Sequence, residues 1–258
     1  MVSSVEALAR DLGAGKPIFS AWCGLSEPAL AGYLARETGF GAVVLDMQHG
    51  VIDFDATVRA IPLVAAVGKP AIPRIPVGEF GTASRLLDAG ASGIIAPMVN
   101  TVEDARRFAG SVKYPPVGER SWGPHPALAL TGLSPADYFG KANAFIKSFA
   151  MIETREALDA IDAIMAVPGI DAILIGPSDL SIALSNGAAL NADSAETNKA
   201  IDHALARAKA ARKFAAIYAP TGEKAADFAK RGYDLVAIGS DLGFLRAGAA
   251  AALAAARG

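Results

Sequence analysis

Gly93-Ile94-Ile95-Ala96-Pro97-Met98-Val99 is followed at once by Asn100-Thr101 and then by the segment Val102 to Val112. The first seven residues are a short apolar run, which suits a strand covered on both faces. Thr101 stands where a helix N-cap belongs, because its hydroxyl can accept from the free N–H groups of a first turn. The residues from Val102 to Val112 then carry a helical pattern. One strand, one cap and one helix make a repeating unit, and the rest of the chain can be searched for it.

Seven further runs fit the strand half of the unit. They are Ile18–Cys23, Ala42–Gln48, Ala71–Ile75, Ser148–Ile152, Ala172–Gly176, Phe214–Ala219 and Leu235–Gly239. Helical patterns follow them: one capped near Ser26 with Glu27-Pro28 in its first turn, then 53–67, 79–88, 155–167, 195–212, 223–231 and a C-terminal helix. Between Lys113 and Ser134 the sequence is irregular and rich in Pro and Gly, with a short helix expected after Ser134-Pro135. Eight alternating units imply a parallel sheet. At 258 residues, the expectation is a single closed (β/α)8 TIM barrel spanning 1–258, which typically needs ~250 residues; an open doubly wound sheet is the alternative.

Composition narrows the function. The chain is 52% apolar and 19% charged with a net charge of −2, so no basic field invites nucleic acid or an anionic membrane. A single cysteine excludes an internal disulfide and a multi-cysteine zinc site, and it suits a reducing cytoplasm. The N-terminal segment MVSSVEALARDLGAGKP carries Glu6 and Asp11 and lacks the apolar stretch of a secretory signal. No apolar run reaches the ~18 residues of a membrane span.

In such a barrel the chemistry belongs at the C-terminal ends of the strands. Those ends carry Asp46-Met47-Gln48-His49-Gly50, Arg74, Glu153, Gly176-Pro177-Ser178-Asp179 and Gly239-Ser240-Asp241. Glu153 and Asp179 end neighbouring strands, so the two carboxylates can share one hard cation, with water completing an octahedron. An acidic residue after a strand also serves as a helix N-cap, so the pair carries the reading rather than either residue alone. Arg74, between Pro73 and Pro76, can hold a carboxylate or an enolate oxygen in a fork. His49 lies three residues after Asp46, a spacing at which the carboxylate can orient an imidazole acting as general base; a structural histidine fits the spacing equally. His125, in the irregular segment, and His203, within a helix, are weaker candidates. The turn 176–179 offers backbone N–H groups to a carboxylate. No phosphate-binding motif is present. Lys69 and Lys147 fall at strand starts, on the wrong rim for a Schiff base, which favours a metal-stabilised enolate.

Taken in order, Leu45-Asp46-Met47-Gln48-His49-Gly50, Pro73-Arg74-Ile75-Pro76, Gly93-Ile94-Ile95-Ala96-Pro97-Met98, Tyr114-Pro115-Pro116, Ile152-Glu153-Thr154 and Ile175-Gly176-Pro177-Ser178-Asp179-Leu180-Ser181 resemble the HpcH/HpaI aldolase family over residues 18–243. The resemblance implies a metal-dependent, class II pyruvate-type aldolase on a phosphoenolpyruvate/pyruvate-type barrel. It would cleave a 4-hydroxy-2-oxo acid to pyruvate, or a close 2-oxo acid such as hydroxypyruvate, and an aldehyde. It further implies that Glu153 and Asp179 bind Mg²⁺, Mn²⁺ or Co²⁺, that Arg74 stabilises the enolate oxygen, and that His49, oriented by Asp46, moves protons through water. Gly176, Pro177, Ser178 and Asp179 would hold the substrate carboxylate. Asp88 would reach a neighbouring subunit's site in a hexamer or trimer that exchanges its last helix. Two positions depart from the family. Met151 stands where Gln is common, and Trp122 follows the Tyr-Pro-Pro segment, where it would reshape the aldehyde pocket. The wider superfamily keeps open an acyl-thioester lyase, a decarboxylase, or a binding protein for 2-oxo acids.

Overall fold

A computed structural model describes residues 3–258. Eight strands pair in parallel in sequence order, and the last pairs with the first to close a barrel. They are β1 (Ile18–Cys23), β2 (Ala42–Asp46), β3 (Ala71–Arg74), β4 (Gly93–Ala96), β5 (Lys147–Ile152), β6 (Ala172–Ile175), β7 (Phe214–Ala219) and β8 (Leu235–Ile238). Closure removes the open-sheet alternative. Several strands stop one to three residues earlier than the apolar runs suggest. The backbone turns away there, with Met98 at φ 53° and Gly239 at φ 56°.

Thirteen helices surround the sheet among the described residues: α1 (Ser4–Gly13), α2 (Pro28–Arg36), α3 (Phe54–Ala65), α4 (Phe80–Asp88), α5 (Val102–Val112), α6 (His125–Thr131), α7 (Pro135–Phe145), α8 (Arg155–Asp159), α9 (Ile161–Met165), α10 (Pro177–Leu184), α11 (Ala195–Ala210), α12 (Gly222–Arg231) and α13 (Asp241–Arg257). Thr101 caps α5, and Asp104 returns the bond in a capping box. The cap of α2 is Glu27, not Ser26. Pro28 occupies the first helical position, so the residue just before it accepts from Ala29 N–H. The single helix expected over 155–167 is two five-residue pieces meeting at Ala160 (φ −93°, ψ 2°). The loop expected after β6 begins instead as α10.

The two-residue alternation of each strand sorts its side chains. One set, with Val43, Leu45, Ile173, Ile175 and Ile217, packs outward under the helices. The other, with Val44, Ile72, Ile95, Phe149, Leu174 and Leu235, fills the barrel interior. Leu8 and Leu12 of α1 join that inner set, so α1 plugs the N-terminal end. Gly93 must lack a side chain there, because a Cβ would stand 2.6 Å from the Lys147 carbonyl oxygen and 3.1 Å from Leu8. With one end plugged, the interior opens at the C-terminal rim.

Candidate active site

A cavity of about 420 Å³ lies at that rim. Asp46, His49, Arg74, Met151, Gly176, Pro177, Ser178 and Asp179 line it, together with Trp22 and Tyr218. No lysine does.

Asp46 and Arg74 end β2 and β3 in register. Both are buried, at 4% and 6% exposure, so they must satisfy each other. Arg74 Nε donates to Asp46 Oδ1 at 2.8 Å and Nη2 donates to Oδ2 at 2.6 Å, a two-pronged pair. Trp22 Nε1 donates to Oδ2 at 3.1 Å, and its ring lies 4.8 Å from the guanidinium carbon. Burial alone would raise the Asp46 pKa. The Arg74 guanidinium, the Trp22 N–H and the His49 backbone N–H outweigh it and hold Asp46 below the usual carboxylate range.

This changes the role read for Asp46. Its carboxylate meets His49 only through the backbone N–H, at 3.3 Å, and the His49 imidazole has no hydrogen-bond partner among the described residues. Asp46 orients Arg74, and His49 stands exposed at the mouth of the pocket. The spacing Asp46-x-x-His49 fits either arrangement; the register of β3 beside β2 decides it.

Arg74 retains one free prong. Nη1 meets only the Met151 sulfur, at 3.9 Å, so a strong acceptor in the pocket would outcompete that contact.

Glu153 follows β5 and is 2% exposed. Its Oε1 accepts from Met98 N–H at 2.8 Å, an approach that the left-handed Met98 backbone makes available. Oε2 has no hydrogen-bond partner among the described residues and lies against Gly176, where a Cβ would come within 2.6 Å of it. Glycine at 176 thus makes the cradle. Burial raises the Glu153 pKa; the Met98 N–H opposes this, the like charge of Asp179 adds to it, and Arg74 opposes it. The net shift is upward.

Asp179 is exposed and sits in the first turn of α10 rather than at the strand end. The Ser178 and Asp179 N–H groups belong to that same turn, whose amides have no carbonyl within the helix to bind. Among the described residues no group of three or more His, Cys, Asp or Glu side chains converges. Asp179 lines the cavity, whereas Glu153 lies buried behind Gly176 and is not among its lining residues. A carboxylate with an unbonded oxygen beside a second carboxylate suits a hard cation that keeps water or substrate as its remaining ligands.

Asp88 and Trp122 lie elsewhere. Asp88 ends α4 just before β4, at the N-terminal end of the barrel, where Arg120 Nη2 donates to it at 2.7 Å. Trp122 packs there against Tyr114, Tyr138 and Phe139. Neither lines this chain's own pocket. Exposed His125 opens α6, and exposed His203 lies within α11.

Among the further residues lining the pocket, three stand out that were given no role from sequence. Trp22 and Tyr218 are the last inward positions of β1 and β7, and counting by twos from Ile18 and Phe214 would have found both. Asp241 opens α13 and accepts from the Gly24, Leu25 and Leu242 N–H groups, tying the end of β1 to the end of β8. Only the closed topology brings those ends together.

The family description HpcH/HpaI aldolase/citrate lyase matches residues 19–247. The chain is 39% identical over 243 residues to a hydroxypyruvate/pyruvate aldolase of Rhizorhabdus wittichii, covering 94% of this chain and 95% of that one. It is 36% identical over 225 residues to a 5-keto-4-deoxy-D-glucarate aldolase of Citrobacter koseri, covering 87% and 86%. Its structure superposes on that of an HpcH/HpaI aldolase from Desulfitobacterium hafniense with a TM-score of 0.88 at 25% identity, covering 97% and 96%.

Proposed function

Because the chain belongs to the HpcH/HpaI aldolase/citrate lyase family and is a carbon–carbon lyase of the pyruvate-aldolase type, we propose that it cleaves 4-hydroxy-2-oxo acids with a divalent cation held by Glu153 and Asp179. The products are an aldehyde and pyruvate or a close relative such as hydroxypyruvate. The observation that carries the metal reading is the buried Glu153 carboxylate, with one oxygen bonded to Met98 N–H and the other left free over Gly176.

A bound Mg²⁺, Mn²⁺ or Co²⁺ would act as a Lewis acid toward the 2-oxo group. The remaining work falls to the chain's own groups. The N–H groups of Ser178 and Asp179 hold the substrate carboxylate at the start of α10, with Gly176 and Pro177 shaping the turn. Arg74, locked by Asp46, offers Nη1 to the 2-oxo oxygen, where negative charge gathers as the carbon–carbon bond breaks. Pre-set in this way, it needs no reorganisation at the transition state. His49, at the mouth, takes the 4-hydroxyl proton through a water molecule as the aldehyde leaves, and returns a proton to C3 of the other product.

We also propose a homo-oligomer, a hexamer or trimer, in a reducing cytoplasm. Its support is α13, which runs 17 residues with Asp241 as its only buried residue and leaves Leu242, Leu245 and Leu253 about half exposed. Exchange of this helix between copies would cover them, and Asp88 would meet a neighbouring copy's pocket, with Trp122 close by. Neither nucleic acid nor membrane enters this reading; among the described residues no helix is long and apolar enough to cross a membrane.

The test is metal removal. Cleavage of a 4-hydroxy-2-oxo acid should vanish in EDTA-treated protein and return on adding Mn²⁺, while Arg74→Ala should lower kcat by about 10²–10³. Full activity in the stripped protein would defeat the metal proposal.

A further inference from the structure

We propose that Tyr218 is a specificity-determining residue of this pocket, its phenol O–H donating a hydrogen bond to a hydroxyl oxygen that the substrate carries beside a reacting carbonyl. The inference rests on the aldolase reading above and deepens it.

Tyr218 is the last inward residue of β7, after Phe214 and Ala216. Its ring meets Trp22 edge to face, with centroids 5.3 Å apart at 74°. Trp22 is itself fixed by its N–H bond to Asp46. The ring position is therefore set by packing, and the hydroxyl is left over. It makes no hydrogen bond with any described residue, yet it is not sealed in the core: Tyr218 is half-buried and lines the pocket.

The charged groups beside it cannot use that proton. Asp46 Oδ1 already accepts from Arg74 Nε and from the Gln48 and His49 N–H groups. Its Oδ2 accepts from Arg74 Nη2 and Trp22 Nε1. Arg74 has only donors. Burial pushes the phenol pKa up, so the group stays a neutral donor at physiological pH.

Water serves such a phenol when the pocket is empty. A substrate that displaces the water must either replace its bond or leave the phenol unmet. The pocket thus discriminates in favour of a partner bearing an oxygen there over one bearing hydrogen. The adjacent Asp46–Arg74 pair is internally neutralised, so a single neutral donor matches an alcohol better than a second carboxylate. Two sources carry such an alcohol: C3 of a hydroxylated 2-oxo acid, and C2 of a hydroxylated aldehyde.

Tyr218→Phe keeps the ring and its packing on Trp22 while deleting the donor. Condensation by the Mn²⁺-loaded enzyme is measured for pyruvate or 3-hydroxypyruvate with acetaldehyde or glycolaldehyde. The ratio of kcat/KM for the hydroxylated over the unhydroxylated partner should fall about tenfold in one of the two comparisons, and the comparison that falls identifies the partner. A purely structural role slows all four pairings together and leaves both ratios unchanged, which overturns the proposal. Wild-type protein inactive in all four pairings would overturn the aldolase reading, and this inference with it.

Discussion

Glu153 is held as a buried acid with a raised pKa, and that sets up a test independent of turnover. Between the ordinary carboxylate range and the raised value, the folded chain binds more protons at Glu153 than the unfolded chain does. Stability of the metal-free protein therefore falls as pH rises through that interval, and at neutral pH the ionised group is a cost. A cation offsets the cost because it binds the folded, ionised form. Metal-free Glu153→Gln should thus be at least as heat-stable as the metal-free wild type at neutral pH. It should also lose both the rise in Tm on adding Mn²⁺ and the cleavage activity. A variant much less stable than the wild type in EDTA would instead make the carboxylate a structural group. At the same scale, Asp46 and His49 show how two residues that share a rim can be paired wrongly from their spacing. Both line the pocket, but the carboxylate belongs to Arg74.

The pocket's side chains hang on strand ends and on the turns that follow them, so the shape of the pocket depends on how firmly those turns are held. Gly50 shows how tightly they are packed. A Cβ there would stand 2.2 Å from the Asp46 carbonyl oxygen and 2.7 Å from the Gly24 Cα and carbonyl oxygen. The obstacles are backbone, which cannot swing aside as a side chain would. Val51 and Ile52 N–H both donate to Gly24 O, locking the turn after β1 against the turn after β2, and Asp241 holds the same Gly24 from the other side. Gly50→Ala should cost about 1–3 kcal/mol in denaturant unfolding, and it should also lower kcat because Asp46 and Arg74 must shift. Unfolding and kinetics indistinguishable from the wild type would mean that the turns are looser than this packing implies. Helix α10 was missed from sequence because Gly176-Pro177-Ser178-Asp179 carries turn residues. Pro177 at the first helical position, with no N–H to lose, is equally the start of a helix.

For the molecule as a whole, the barrel separates two jobs. Its N-terminal end is closed by α1 and carries the ion pair of buried Lys113 with half-buried Asp171, while its C-terminal rim is open and charged. Helix α13 is thinly supported: a 17-residue helix that rests on β1 and packs Phe244 against Phe40, with Leu242, Leu245 and Leu253 outward. A chain ending after Gly243 should still form the barrel, because the strands and inner core lie upstream, but it should assemble to a smaller species in light scattering. Unchanged size in solution would remove helix exchange from the assembly.

The eight-unit barrel, its C-terminal rim and the candidate residues on it, Asp46, His49, Arg74, Glu153 and Asp179, were legible in the sequence. These are legible because strand and helix impose local periods, and because charge at the end of an apolar strand stands out against its surroundings. Tertiary structure alone decided which of those residues meet. The Asp46–Arg74 pair depends on the β2–β3 register, the Glu153 cradle on the absence of a side chain at Gly176 just after the next strand, and the Trp22–Tyr218 wall on closure of β8 against β1. Contacts between strands far apart in the chain are fixed by hydrogen-bond register and close packing, and no local pattern encodes either.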